Sequence, residues 1–144
     1  MADTPSVDHE FTITRVFDAP RELVWQAWTD PEQVARWFGP RDITTPRSTI
    51  TMDVRPGGTF AYTMVSDDDG TEYPSGGTFL EVVEPERLVW RDRDIDLLVT
   101  VTFTDLGGRT EMTCHVVGRT GGAEAYDGWS TMFDKLADSL GRSR

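Results

Sequence analysis

The sequence predicts an α+β domain in which a curved, seven-stranded antiparallel sheet wraps around one long C-terminal helix. Two patterns carry that prediction. Residues 124–140 separate apolar from polar side chains with helical period, and from Ile43 to residue 117 the period drops to two, broken by turn residues. The links between the strands are also too short to hold crossover helices, so successive strands must pair antiparallel. One amphipathic helix then has a single broad apolar surface to cover.

The elements follow in order. Residues 1–10 are polar, contain Pro5 and read as a loose tail, leaving 11–141 as a single domain. Residues 11–17 alternate apolar and polar side chains, as a strand does. Asp18-Ala19-Pro20 opens a helix with proline in the first turn, where its missing amide does no harm. Leu23, Val24, Ala27 and Trp28 make its inner face, with Trp25 at the edge. Asp30-Pro31-Glu32-Gln33 starts a second helix, with Asp30 as the cap and Gln33 able to reach back to it. That helix carries Val34, Trp37 and Phe38 on one side and stops at Gly39-Pro40. Strands are expected at 48–54, 59–65, 77–83, 88–93, 97–105 and 110–117. The breaks between them are turn chemistry: Arg55-Pro56-Gly57-Gly58, Asp67-Asp68-Asp69-Gly70, Glu84-Pro85-Glu86 and Leu106-Gly107-Gly108.

In the long helix, Ala125, Tyr126, Trp129, Met132, Phe133, Leu136, Ala137 and Leu140 fall within one arc of about 140° at 100° per residue. The polar residues fill the opposite side. Gly121-Gly122 precede it, Glu124 and Asp127 suit its positive start, and Gly141 suits a left-handed stop.

Composition narrows the function. The 144 residues include 38% hydrophobic and 10% aromatic side chains, enough for a core that buries about two-thirds of the unfolded surface. The net charge of −11 repels phosphate backbones and anionic lipid heads, which argues against nucleic-acid and membrane partners. Cys114 is the only cysteine, so neither an internal disulfide nor a cysteine-built zinc site is available. The first ten residues lack a signal-like run and no segment approaches about 18 apolar residues. A soluble, cytoplasmic protein is expected, as a monomer or as a homodimer through an exposed sheet edge.

Catalytic constellations are poor. His9 falls in the tail, and Cys114 and His115, as neighbours in a strand, point to opposite faces, which opposes a nucleophilic pair. His115 reads as a solvent-side residue, and Glu81 as a partner in a cross-strand ion pair. Asp67-Asp68-Asp69-Gly70 lacks the distal ligands of a calcium loop and reads as a hairpin tip. Asp92, Asp94 and Asp96 alternate with Arg93, Ile95 and Leu97, as in a turn with one wet side. Gly57-Gly58 opens no helix and so is no phosphate loop. No catalytic residue, metal ligand or cofactor site is expected.

The stretch Phe17-Asp18-Ala19-Pro20-Arg21-Glu22-Leu23-Val24-Trp25-Gln26-Ala27-Trp28-Thr29-Asp30-Pro31-Glu32, followed by Arg36-Trp37-Phe38-Gly39-Pro40, resembles the N-terminal signature of the START-like (SRPBCC, birch-pollen-allergen-like) superfamily. It is most similar to the branch named after the activator of the heat-shock-protein-90 ATPase. Asp53-Val54-Arg55-Pro56-Gly57-Gly58-Thr59-Phe60 resembles that branch's strand-turn-strand motif, and Gly128-Trp129 with Phe133, Leu136 and Leu140 its final helix. The resemblance covers residues 11–141. It implies a helix-grip fold with an elongated cavity between sheet and helix, suited to an apolar ligand. Its name adds a chaperone ATPase as a candidate partner, and some START-like relatives are cyclases or hydrolases.

Alternation supplies the candidate cavity wall. Phe60, Tyr62 and Met64 share one side of their strand, Trp90 lies on the inner side of another, and Phe103, Met112 and Cys114 point inward from the last two. Trp37 and Phe38 close the helical end, while Trp129, Met132 and Phe133 come from the long helix. Such stripes ordinarily fill a core. Here a sheet bent around one helix leaves volume, and aromatics with methionine suit a roomy apolar site. The expected function is binding of a small apolar or aromatic molecule, ahead of a co-chaperone module or an enzyme.

Overall fold

A computed structural model describes residues 9–92, 97–118 and 122–141. Strand β1 (His9–Phe17) leads into helices α1 (Arg21–Thr29) and α2 (Pro31–Trp37). Strands β2 (Ile43–Thr44), β3 (Thr51–Met52), β4 (Thr59–Ser66), β5 (Glu72–Val83), β6 (Arg87–Asp92), β7 (Leu97–Asp105) and β8 (Thr110–Gly118) follow, and helix α3 (Gly122–Gly141) closes the chain. Seven of the strands form the path β1-β8-β7-β6-β5-β4-β2, and β3 pairs with β4 beside it. Every pairing is antiparallel. The sheet is curved into a half-barrel around α3, the helix-grip arrangement expected. Among the described residues no helix is long and apolar enough to cross a membrane.

The expected strand at 48–54 is replaced by a 3-10 turn, Arg47–Thr49, and the two-residue β3. The Thr49 hydroxyl is the reason. It donates to the Pro46 carbonyl (2.8 Å) and accepts from the Thr63 amide (3.2 Å), taking a ladder position that main chain would otherwise hold. β2 and β3 both pair with β4, and β2 carried too few residues to show a period. β5 begins earlier than the expected residue 77, at Glu72, and runs through Pro74. Its first residues pair only with β4 among the described residues, a setting where a proline's missing amide is tolerated.

β5 is the strand that bends. Pairing with β6 shifts register between Phe79 and Glu81, leaving Leu80 as a bulge, and bulges sharpen bend and twist. A Cβ on Gly77 would lie 2.0 Å from the Arg91 carbonyl oxygen, so only glycine permits this approach to β6. Glu81 meets Arg87 across the β5–β6 hairpin, as expected.

The core divides into layers around Trp28. Its ring centroid lies 4.7 Å from that of Trp37, 5.7 Å from Trp90, 6.3 Å from Phe103 and 6.0 Å from Phe133, joining α1 to α2, the sheet and α3. Trp25, expected at the edge of α1, is buried edge-on against Phe103, and Leu23, expected inside, is exposed. Asp30 caps α2 by accepting from the Glu32 amide, and Gly39, at φ +126°, ends it.

The buried stripe of α3 is rotated from the expected arc. Trp129, Met132, Phe133, Leu136 and Leu140 are buried as expected, but Tyr126 and Ala137 are exposed and Ser139 is buried. At 100° per residue the buried arc turns by about 30° toward the Met132 side. A second surface accounts for the turn: the 38–43 loop. The Gly39 amide donates to Met132 Sδ (3.0 Å), the Arg41 amide to Thr131 Oγ1 (3.1 Å), and Pro40 packs on Gly128. Lys135, the single lysine of the sequence, donates to the carbonyls of Gly39 (2.9 Å), Pro40 (3.2 Å) and Ile43 (2.9 Å). Partial burial holds its pKa below the ordinary lysine value, with Asp67 and Asp42 pulling the other way. On the opposite side, Arg15 of β1 donates to Asp134 (3.0 Å) and to Ser130.

Candidate functional site

Between the start of α3 and the outer half of the sheet lies a cavity of about 530 Å³. Its roof is Gly128, Trp129 and Met132 of α3, and the 38–43 loop adds Phe38 and Pro40. The sheet side is Tyr62 and Met64 of β4, residues 72–75 of β5, Trp90 of β6 and Leu97 of β7. Glu72, Tyr73 and Pro74 are exposed and form the rim, whereas Phe38, Tyr62, Trp90, Trp129 and Met132 are buried behind it. Alternation along β4 and β6 places Tyr62, Met64 and Trp90 on the concave face.

Behind it the described residues pack closely. Phe38 and Trp90 separate the cavity from a void of only about 10 Å³, which Trp37 and Phe60 also line. That is about the smallest space able to hold one water. Of the twelve residues expected on the wall, Phe38, Tyr62, Met64, Trp90, Trp129 and Met132 line the cavity. Trp37 and Phe60 line the small void. Phe103, Met112, Cys114 and Phe133 lie in the packed core, each 2% exposed or less. Trp25 and Trp28 of α1 pack against Phe103, and Trp28 also against Phe133, which fills the space there.

Tyr62 stands at the polar end of the cavity, beside a carboxylate that the sequence places elsewhere. Asp92, expected on the wet side of a turn, is 1% exposed. Its Oδ2 accepts from the Tyr62 hydroxyl (2.9 Å), and Oδ1 and Oδ2 accept from Ser75 Oγ (2.9 and 3.1 Å). The signal was present: Leu88, Trp90 and Asp92 continue one inward row of β6. Asp94 and Asp96 lie outside the described residues, as does Arg93. Glu72 adds a carboxylate at the rim, so ionisable groups do stand in and behind the wall.

The remaining titratable candidates sit elsewhere. His115 is on the outer face with Nε2 2.7 Å from Glu10, and Cys114 points inward, so the two diverge as expected. Asp67–Gly70 turns the β4–β5 hairpin, with Asp69 Oδ1 accepting from the Thr71 amide (2.9 Å), which holds its carboxyl below the usual range. Burial pushes the Cys114 thiol far above its ordinary pKa. The native protein is therefore expected to resist a thiol-reactive disulfide reagent at pH 8 and to react fully once unfolded in guanidinium. Rapid modification of the native state would contradict the packing described.

A half-barrel sheet closed by one long helix, hollow at one end and lined there by aromatic side chains, defines a helix-grip domain of START-like type. The chain belongs to the family described as Activator of Hsp90 ATPase homolog 1-like protein, whose model matches residues 18–141. Solved structures agree. A Chromobacterium violaceum protein is 27% identical over 92% of this chain and 97% of its own, with a TM-score of 0.85. An AHSA1-like protein from Aeromonas hydrophila is 27% identical over 94% of each chain, with a TM-score of 0.81. A protein from Nitrosomonas europaea is 26% identical over 96% of this chain and 97% of its own, also at 0.81. No curated protein matches the chain.

Proposed function

We propose that the protein binds a small apolar or aromatic molecule in the cavity beneath α3. The cavity volume carries this reading: about 530 Å³ falls within the range of small-molecule sites, and its wall is aromatic and aliphatic with few polar groups. Trp90 and Trp129 on the wall are natural reporters. Titration with a hydrophobic probe such as a flavonoid should change their fluorescence saturably. A Cβ on Gly128 meets only Pro40, at ordinary contact distance, so a larger side chain is tolerated there. Gly128→Phe should fill the space and weaken probe binding by about tenfold or more, roughly 1.4 kcal/mol. Saturable binding that Gly128→Phe leaves unchanged would sink the proposal.

Family membership favours one second reading, a protein-interaction module acting on a chaperone ATPase of the heat-shock-protein-90 type. It predicts stimulation of the cognate ATPase by micromolar amounts of this protein. An unchanged rate would remove it.

A further inference from the structure

A second, open cleft of about 490 Å³ lies where the start of α1 meets the β5–β6 turn and the end of β7. It shares no lining residue with the cavity beneath α3. Four charged side chains line it, and two of them are already engaged. Arg87 pairs with Glu81 across the hairpin, and Asp105 Oδ1 accepts from the Gly107 amide (2.8 Å). Arg21 and Glu86 are not. They carry opposite charges in one cleft, yet they form no ion pair with each other or with any other described residue. Arg21 Nε is moreover buried with no hydrogen-bond partner among the described residues. Native proteins leave few buried donors unpaired, so this group calls for an acceptor from solution.

The main chain supplies a further donor. The Phe103 amide donates to the Glu86 carbonyl (2.9 Å), which sets the direction of that edge of β7. Amides alternate sides along a strand, so the Asp105 amide points to the same edge. There the β6 ladder has already ended, at Arg87 opposite Thr102.

We infer that this cleft binds a small zwitterion, an amino-carboxylate. Its carboxylate meets the Arg21 guanidinium, whose planar fork suits that group, together with the Asp105 amide. Its ammonium meets the Glu86 carboxylate. A molecule with one charge is selected against. An anion alone brings a third carboxylate to Glu86 and Asp105, and a cation alone meets Arg21 and Arg87. The inference stands apart from the reading of the cavity beneath α3.

Amide and indole NMR signals, followed in titrations at pH 7 and low salt, test it. The probes are three zwitterions of increasing span (glycine, 4-aminobutanoate and 6-aminohexanoate), with butanoate and butylammonium as single charges. The best zwitterion should move the Glu86, Thr104 and Asp105 amides saturably and leave the Trp90 and Trp129 indole signals still. It should bind at least about tenfold more tightly than either single charge. Arg21→Gln should weaken the zwitterion and butanoate about tenfold or more and spare butylammonium. Glu86→Gln should weaken the zwitterion and butylammonium and spare butanoate. No saturable shift in the cleft, a zwitterion no tighter than the single charges, or affinities unchanged in both variants overturns the inference. Shifts confined to Trp90 and Trp129 overturn it as well, while leaving the proposed function standing.

Discussion

Replacing Trp28 with alanine is expected to destabilise the fold by about 3–5 kcal/mol, the range for removing a large aromatic from a packed core. Trp28 is 3% exposed and its ring meets those of Trp37, Trp90, Phe103 and Phe133, so nothing can collapse into the space without breaking another contact. Its indole Nε1 has no hydrogen-bond partner among the described residues, so the cost is one of volume, and Trp28→Phe should recover most of it. Trp129→Ala is the control. That ring already faces the cavity and lacks neighbours on one side, so its removal should cost about half as much or less. Equal costs in guanidinium unfolding would refute the division into a solid half and a hollow half.

Gly77→Ala is expected to be comparably damaging, about 3 kcal/mol or more, through strain rather than lost contacts. The new Cβ would lie 2.0 Å from the Arg91 carbonyl oxygen and 2.9 Å from the Asp92 Cα, both backbone atoms that cannot swing away. The β5–β6 ladder would have to part, and Gly77 pairs with Asp92, so the parting starts beside the polar end of the cavity. Gly57→Ala provides contrast. An added Cβ there meets nothing, and the cost is limited to the positive φ of +85°, about 1 kcal/mol. Thermal unfolding of the two variants separates these causes.

How much of this was legible beforehand depended on whether a residue's surroundings come from its own element. The alternation of β4, β6, β7 and β8 placed Tyr62, Trp90, Phe103 and Cys114 on the concave face, because side-chain period is a local property. Whether that face meets packed atoms or space is not local. Phe103 and Tyr62 alternate in the same way, yet Trp25 and Trp28 cover the first and leave the second at the cavity. The rotation of α3 was hidden for the same reason: a helical wheel has no knowledge of the 38–43 loop that Met132 and Lys135 engage. At Asp92 the charge pattern misleads, since aspartates at alternate positions suggest a wet turn. The inward row of Leu88 and Trp90 pointed the other way, and the row was the stronger signal.

The bend in β5 also has a dynamic consequence. Beyond Gly77, residues 72–76 are laddered to β4 alone among the described residues, while Gly77 and Thr78 pair with both β4 and β6 and Phe79 bonds Gly57 and Gly58 as well as pairing with Trp90. A strand paired on one side opens by local fluctuation at a fraction of the free energy needed to unfold the core. Amide hydrogens of the rim should accordingly exchange with solvent deuterium well before those of β7 and β8. A molecule seated beneath α3 touches the rim through residues 72–75 and would slow their exchange in proportion to its affinity and concentration. Exchange protection at these few amides thus reads occupancy directly, for any compound and without a label.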